Sequence, residues 1–549
     1  MSFDEHKEPL TPTEDIPSSG AEAPEDRFSA FDQPVRPDDK KKSTKKPLNP
    51  RMRTLFIALG AVVLLTAILL LVLYLPRGEQ PGSSGTSTPT EITYPLIEKG
   101  TSEDTGTVTS LQVKNSHGSY TLNFDSNEKV YTLAGYEDLT LDSSTVQGLT
   151  EAAMALSATA KLGADGSPAD YGLDKPATVT AVYKDGTSHT LRIGSAVPSG
   201  SGYYVALDES NEVYICSTTM EHFLTADTAL VSTVLLTTPT AKSDDSNGKA
   251  VLRELSISGS AHSQALSIRR AQSDESTEVS YTSYVMTKPY YRGVKEAVSN
   301  SLASFTSLYA SQAVALHPTA AQLATYGLNN PGTVAKITLA IETSDANADS
   351  SNSTAMVYYN SVSATVRIGN QDADGSYYVT VDGIDAVFTV SASSLQIITE
   401  RQYVNTVSDL LFIKDITTLG RVEITLNDTT HRFTLTHDAD AEDSDKTMIV
   451  TEGDKTYSTP DFRTLYQRMM SFSRYTEKDT SPSGKPNLSF SLYTSDGKQY
   501  MGVQFYPVSG SLYCVVTSEG ETFSTKASAV EDFINQYQNY LAGKTVLDP

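Results

Sequence analysis

The chain of 549 residues has no tryptophan, only two cysteines and only eight histidines, and its charge leans one way, with 42 bases against 66 acids. Each scarcity excludes something. Cys216 and Cys514 stand 298 positions apart, so they cannot build the dense disulfide framework of a small secreted domain. One disulfide stays open to them outside a membrane, but two isolated buried thiols are the simpler reading. No CxxC pair exists, which removes cysteine-based zinc and redox sites. Of the histidines only His431 and His437 are close, six apart on one expected strand, and they read as surface residues rather than ligands. The formal charge of −24 disfavours DNA, RNA and anionic lipid head groups as partners.

Catalytic signatures are missing too. There is no HExxH, GxGxxG, GxxxxGK[ST] or GxSxG. Ser495 and Lys498 have S-x-x-K spacing, but on an expected hairpin turn and without the SDN or KTG partners. Asn370, Asp372, Asp374 and Gly375 begin like a calcium loop, yet Val381 stands where a bidentate Glu is needed. The acidic run Asp438 to Asp445 reads as solvated surface before it reads as a weak calcium site. Nothing here calls for a cofactor, and the chain is not read as an enzyme.

What is present begins with one apolar run. Leu55 to Leu75 (LFIALGAVVLLTAILLLVLYL) holds 21 residues without a charge. As a helix it would span about 31 Å, matching a hydrocarbon core of roughly 30 Å. Lys40 to Arg53 holds seven bases and no acid, whereas Arg77 is nearly alone on the other flank. The positive-inside rule then places the N-terminus in the cytoplasm and the rest extracytoplasmic, anchored in the cell membrane by a single span. The run is too long and too far from Met1 for a cleaved signal peptide. Residues 1–53 are polar and read as a disordered tail, 54–76 as the transmembrane helix, and 77–106 as a flexible Gly/Ser/Thr/Pro linker.

Repeats dominate the remainder. Tyr171 opens YGLDKPATVTAVYKDGTSHTLRIG, followed by GSGYYVAL and NEVYICS. Tyr326 opens YGLNNPGTVAKITLAI, followed by ATVRIG, DGSYYVTV and DAVFTVS. The YGL starts lie 155 apart and the IG glycines, Gly194 and Gly369, 175 apart, which implies a 20-residue insertion near Ser344 to Ser353. A third copy, NLSFSLYTSDGKQYMGVQFY with GSLYCVV and ETFSTK, lacks YGL. A hairpin and a helix precede each copy. TSLQVKNSHGSYTLNF alternates at period two around a Ser-His-Gly turn. Ser144 and Gln147 suggest a capping box, with Val146, Leu149, Ala153 and Leu156 as the apolar helical face. Val294, Val298, Leu302 and Phe305 mark the second helix. Thr459-Pro460 starts the third, which carries Phe462, Leu465, Met469 and Phe472. The expected class is α+β, mainly antiparallel, with repeat units at 107–236, 250–412 and 413–549, the last degenerate. Each helix should cover one face of its sheet.

Gly172 and Gly327 supply backbone angles that a side chain would forbid, and Pro176 and Pro331 fix entry into a strand, so YGL reads as structural punctuation before it reads as a ligand loop. Tyr203, Tyr204, Tyr377 and Tyr378 lie on strands, one of each pair facing outward, and form the candidate interaction surface.

The motif Y-G-L-x-x-P, then a turn, I-G and G-x-Y-Y-V resembles bacterial membrane-anchored proteins carrying the domain of unknown function 4340. That resemblance covers roughly Thr107 to Asn405. It implies an envelope protein, often encoded near ABC-transporter parts of the gliding-auxiliary type, and brings no catalytic residue with it. The expected function is an extracytoplasmic accessory or scaffold protein whose partners are the membrane and ABC-transporter subunits, not nucleic acid. A module binding cell-wall polysaccharide is the alternative, with wall glycan as its partner, and an envelope hydrolase is third.

Overall fold

The computed structural model describes residues 93–101, 103–272, 275, 279–344, 356–438, 447–475, 481–509 and 511–549. The expected tail, membrane helix and most of the linker therefore lie outside the described residues, as do the acidic run after Asp438 and the centre of the insertion. No helix among the described residues is long and apolar enough to cross a membrane. What is described is mainly antiparallel sheet with a few helices, an α+β arrangement.

The first sheet is built from β1 (Tyr94–Glu98), β2 (Val108–Asn115), β3 (Gly118–Asp125), β4 (Val130–Leu133), β5 (Ala155–Gly163), β6 (Ala177–Tyr183), β7 (Ser188–Ala196), β8 (Tyr203–Leu207) and β9 (Val213–Cys216). Helix α1 (Ser143–Met154) leads into β5. The strands lie in the order β1-β5-β9-β8-β7-β6-β2-β3-β4. Alternation sets the buried face: Leu111 and Val113 of β2 pair with Leu122 and Tyr120 of β3, and all four are buried. Val146, Leu149 and Ala153 of α1 join that cluster with Val179, Leu191 and Val205. Each Val or Leu side chain among them contributes about 1.5–3 kcal/mol by leaving water.

A short β10 (Val234–Leu236) precedes the second sheet. That sheet contains β11 (Lys249–Ser258), β12 (Leu266–Arg270), β13 (Tyr284–Lys288) and β14 (Arg292–Gly293). Helix α2 (Glu296–Ala303) follows, then β15 (Leu308–Tyr309), which pairs with β10. The sheet continues with β16 (Gln312–Leu316), β17 (Thr333–Ser344), β18 (Met356–Gln371), β19 (Tyr377–Val381) and β20 (Ile384–Val390). Helix α3 (Ala320–Thr325) carries the chain from β16 to β17, and α4 (Ala392–Thr399) and α5 (Tyr403–Thr406) follow β20. The third sheet contains β21 (Leu419–Leu426), β22 (Thr429–His437), β23 (Met448–Glu452), β24 (Lys455–Tyr457), β25 (Leu488–Thr494), β26 (Gln499–Ser509), β27 (Leu512–Thr517) and β28 (Thr522–Lys526). Helix α6 (Thr459–Met470) sits between β24 and β25, and α7 (Ala527–Leu541) follows β28.

The second sheet runs β14-β13-β12-β11-β17-β18-β19-β20-β16 and the third β24-β23-β22-β21-β25-β26-β27-β28. Hairpin strands of each sheet pair with the meander in one common order, so β2, β11 and β21 are equivalent, as are β6, β17 and β25. The insertion lies between β17 and β18 and also lengthens them: they have 12 and 16 residues, against 7 and 9 in β6 and β7.

Several local expectations need correction. The N-cap of α1 is Asp142, whose carboxylate accepts the Thr145 N–H at 2.8 Å, and Gln147 donates to Glu151 instead of closing a capping box. Leu156 lies on β5, not on the helix, because α1 stops at Met154 and the chain turns directly into a strand. Val294 and Phe305 flank α2, and Phe472 lies beyond α6, although Val294 and Phe472 are still buried. Neither cysteine is in a disulfide and both are buried, Cys216 on β9 and Cys514 on β27.

Candidate functional site

The repeated motif residues form a clasp. Gly172 and Gly327 have φ of 70° and 72°, the left-handed region that favours glycine. A Cβ on Gly194 would land on the Tyr171 carbonyl oxygen, and one on Gly369 on the Tyr326 carbonyl oxygen. The YGL turn thus lies directly against the IG pair two strands away in the meander, and the Asn370 N–H donates to the Tyr326 carbonyl at 2.9 Å. Leu173 and Leu328 are buried in two small outer clusters that this contact creates.

The four candidate tyrosines divide between the two faces of their sheets. Tyr203 packs on the core of the first sheet and Tyr377 on that of the second. Tyr204 and Tyr378 face outward but meet the clasp: Tyr171 stands edge-on to Tyr204 at 5.0 Å, and Tyr326 is tilted against Tyr378 at 4.4 Å. All four are half-buried. No ring contact among the described residues brings the β8 pair to the β19 pair. The turn at Asp372 uses its carboxylate to accept the N–H groups of Asp374 and Ser376. His431 Nδ1 lies 3.0 Å from the Glu452 carboxylate, and His437 Nε2 lies 2.7 Å from the Leu419 carbonyl.

The densest charge cluster joins the second and third sheets, and sequence reasoning missed it. Glu521, fully buried in the β27–β28 turn, accepts Nε of Arg474 at 2.5 Å, Nη2 of Arg292 at 3.1 Å and the Tyr403 hydroxyl at 2.5 Å. Arg474 and Arg292 are 2% and 6% exposed. Arg474 also donates to the carbonyls of Ser408 and Leu410, on the connector between the sheets, and Arg292 pairs with Glu519 at 2.5 Å. Burial pushes the Glu521 carboxyl up, but the Arg474 and Arg292 guanidiniums and the Tyr403 hydroxyl pull it further down, so the net direction is below the ordinary value. Burial also opposes the Arg474 charge, and Glu521 more than offsets it. Tyr403 is pushed far above its ordinary range by burial, so it stays protonated and donates. A cleft of about 370 Å³ opens beside this joint, with Glu275, Tyr291, Lys414 and Tyr500 on its walls.

The first and second sheets meet differently. Leu139, Val231, Leu235 and Leu236 enter the apolar core of the second sheet, β10 pairs with β15, and His317 Nε2 lies 2.8 Å from Asp138.

Residues 132–331 and 284–474 each match the model of a family described as Domain of unknown function (DUF4340). Together they run from 132 to 474, more than half of the chain. The chain belongs to the DUF4340 family. Among curated proteins and solved structures nothing matches it.

Both DUF4340 matches open on the third strand of a hairpin, at Thr132 on β4 and Tyr284 on β13. Each then runs through a helix, a YGL turn and a meander into the next sheet. Arg292, Tyr403 and Arg474 fall inside the second match, and Glu521 lies beyond both. The DUF4340 motif residues are thus occupied in the clasp. At the joint, both Glu521 oxygens accept from Arg474, Arg292 and Tyr403 in a fully buried position, so the carboxylate is engaged within the fold. Among the described residues no group of three or more His, Cys, Asp or Glu side chains comes together as a metal site.

Proposed function

We propose that this protein is a membrane-anchored, extracytoplasmic accessory or scaffold protein that works beside an ABC-transporter complex. The observation that carries the reading is the Arg292–Glu521–Arg474 joint. Buried charges link two sheets and their connector at this joint. A buried ion cluster costs desolvation, and fixing geometry is the use that such clusters serve best. The family motif is spent in the same way, on the clasp between turn and strand. Surfaces of the sheets are then what remains for partners. The anchor in this reading is Leu55 to Leu75 with its basic flank, and the transporter is the neighbour that the family resemblance implies. A glycan platform has less support, because the outward rings Tyr204 and Tyr378 already meet Tyr171 and Tyr326.

The test is gentle detergent extraction of the tagged full chain from its own membranes after mild crosslinking. Transporter permease or auxiliary subunits should co-purify. Absence of any transporter subunit among the crosslinked species, or tight binding of wall glycan by the purified chain alone, would overturn the proposal.

A further inference from the structure

The three sheets share one strand order but differ at the hairpin end. On the outer edge of β13 lies β14, with Val285 opposite Gly293 and Met286 opposite Arg292. On the outer edge of β23 lies β24, with Val450 opposite Tyr457 and Glu452 opposite Lys455. The equivalent strand of the first sheet, β4, is itself the edge. There the chain turns away, with the Tyr136 N–H donating to the Leu133 carbonyl at 2.9 Å. The Ala134 N–H bonds to Thr121, and Thr132 and Val130 are opposite Asn123 and Asp125. In that alternation the backbone N–H and C=O of Tyr131 point away from β3, toward the free edge.

A cleft of about 500 Å³ runs beside this edge, between β4, the segment 137–141 and α1. Its floor is apolar, with Tyr131, Leu139, Leu141, Val146 and Met154. Its rim has three carboxylates, Glu137, Asp138 and Glu151, against one amine, Lys129. Val130, at the start of the edge, is 51% exposed.

We propose that β4 and its cleft dock an extended, basic segment of a partner protein, which completes the first sheet as a further antiparallel strand. The form of the occupant follows from the other two sheets, where strands of two and three residues fill this place. Its charge follows from the rim, where Asp138 already meets His317 and the carboxylates Glu137 and Glu151 face the single amine Lys129. Main-chain bonds to a free edge give affinity, and adjacent side-chain contacts give selection. The inference deepens the scaffold reading and rests on it for the partner being a protein.

A labelled peptide with the sequence of Lys288–Lys295 (KPYYRGVK) is the probe, titrated by fluorescence anisotropy into the full chain in detergent micelles. Saturable binding is expected. It should weaken at least about tenfold, or 1.4 kcal/mol, when the peptide's Lys and Arg are replaced by Glu. It should vanish when alternate peptide nitrogens are methylated, a change that blocks strand pairing and leaves the protein untouched. Glu137→Lys with Glu151→Lys should reproduce the loss from the protein side. No saturable binding, or equal binding of the methylated peptide, overturns the proposal. So does binding that appears only after deletion of residues 78–92, which would make the chain's own linker the occupant. Concentration-dependent self-association of the unaltered chain that competes with the probe would make a second copy the occupant and overturns the proposal equally. The readout needs no transporter, so its failure is separable from a failure of co-purification.

Discussion

Replacing Glu521 by Gln keeps the shape of the joint and removes its only fully buried negative charge. Arg474, 2% exposed, then has backbone carbonyls but no carboxylate, while Arg292 retains Glu519. Breaking a buried ion pair from one side costs about 3–5 kcal/mol, because the remaining charge stays desolvated. The loss should fall on the third sheet and its contact with the second, not on the first. A chain of several sheets need not unfold in one step, so a single denaturation midpoint is a poor readout. Native-state hydrogen exchange of the full chain in micelles resolves the effect by element. Amides of β27 and β28 should lose about 3 kcal/mol or more of protection, and those of β2 and β6 should keep theirs. Replacing all three charges by apolar residues (Arg292→Met, Arg474→Met and Glu521→Leu) should restore most of the loss, to within about 1–2 kcal/mol. The carboxyl of Glu521 titrates below its ordinary 4.5 in the folded chain. Its contribution is therefore complete above about pH 4.5 and disappears as pH falls through the lower folded value. The gap between wild type and Glu521→Gln should be flat from neutral pH to mild acid and close only in strong acid. A Glu521→Gln cost under about 1 kcal/mol, or an apolar triple variant no better than the single one, would refute the buried-joint argument.

Three further outcomes follow from local geometry. Gly194→Ala should cost about 1–3 kcal/mol, since its Cβ would meet a backbone carbonyl, and exchange should rise at the Tyr171 turn; unchanged exchange there would dissolve the clasp. Cys216, its thiol pushed up to about 12 by burial, and Cys514 should both resist maleimide in the folded chain and both react in urea without a reductant, whereas labelling that requires reduction would point to a disulfide. Asp142→Ala should cost about 1 kcal/mol of α1 protection and Gln147→Ala under about 0.5 kcal/mol, and the reverse ranking would restore the capping box.

The meander was legible because Gly172 and Gly327 are held at left-handed φ and Gly194 and Gly369 against a backbone carbonyl, so the motif survives in the sequence as letters. Hairpins were legible from period-two alternation, even in the third unit, where YGL is missing. The strand after α1 was not. Ala155 to Gly163 begins with small residues and Leu156 in helical register with Ala153, and only the sheet reveals β5. The joint was illegible for another reason: Arg292 and Glu521 lie 229 residues apart, and nothing local distinguishes a buried arginine from a solvated one. The β4 edge was hidden as well, since it depends on a strand that the other two repeats have and the first lacks.

The central proposal is that the folded units after Leu75, not the apolar run Leu55–Leu75, hold the proposed partner. The direct measurement compares two versions of the tagged chain in the co-purification experiment, one lacking Val251–Pro549 and one whose Leu55–Leu75 is replaced by an unrelated membrane helix. The sequence of Leu55–Leu75 contains no GxxxG pair for close helix packing. The account predicts that transporter subunits stay with the swapped-helix chain and are lost from the truncated one. Retention by the truncated chain, with loss on swapping the helix, would contradict it.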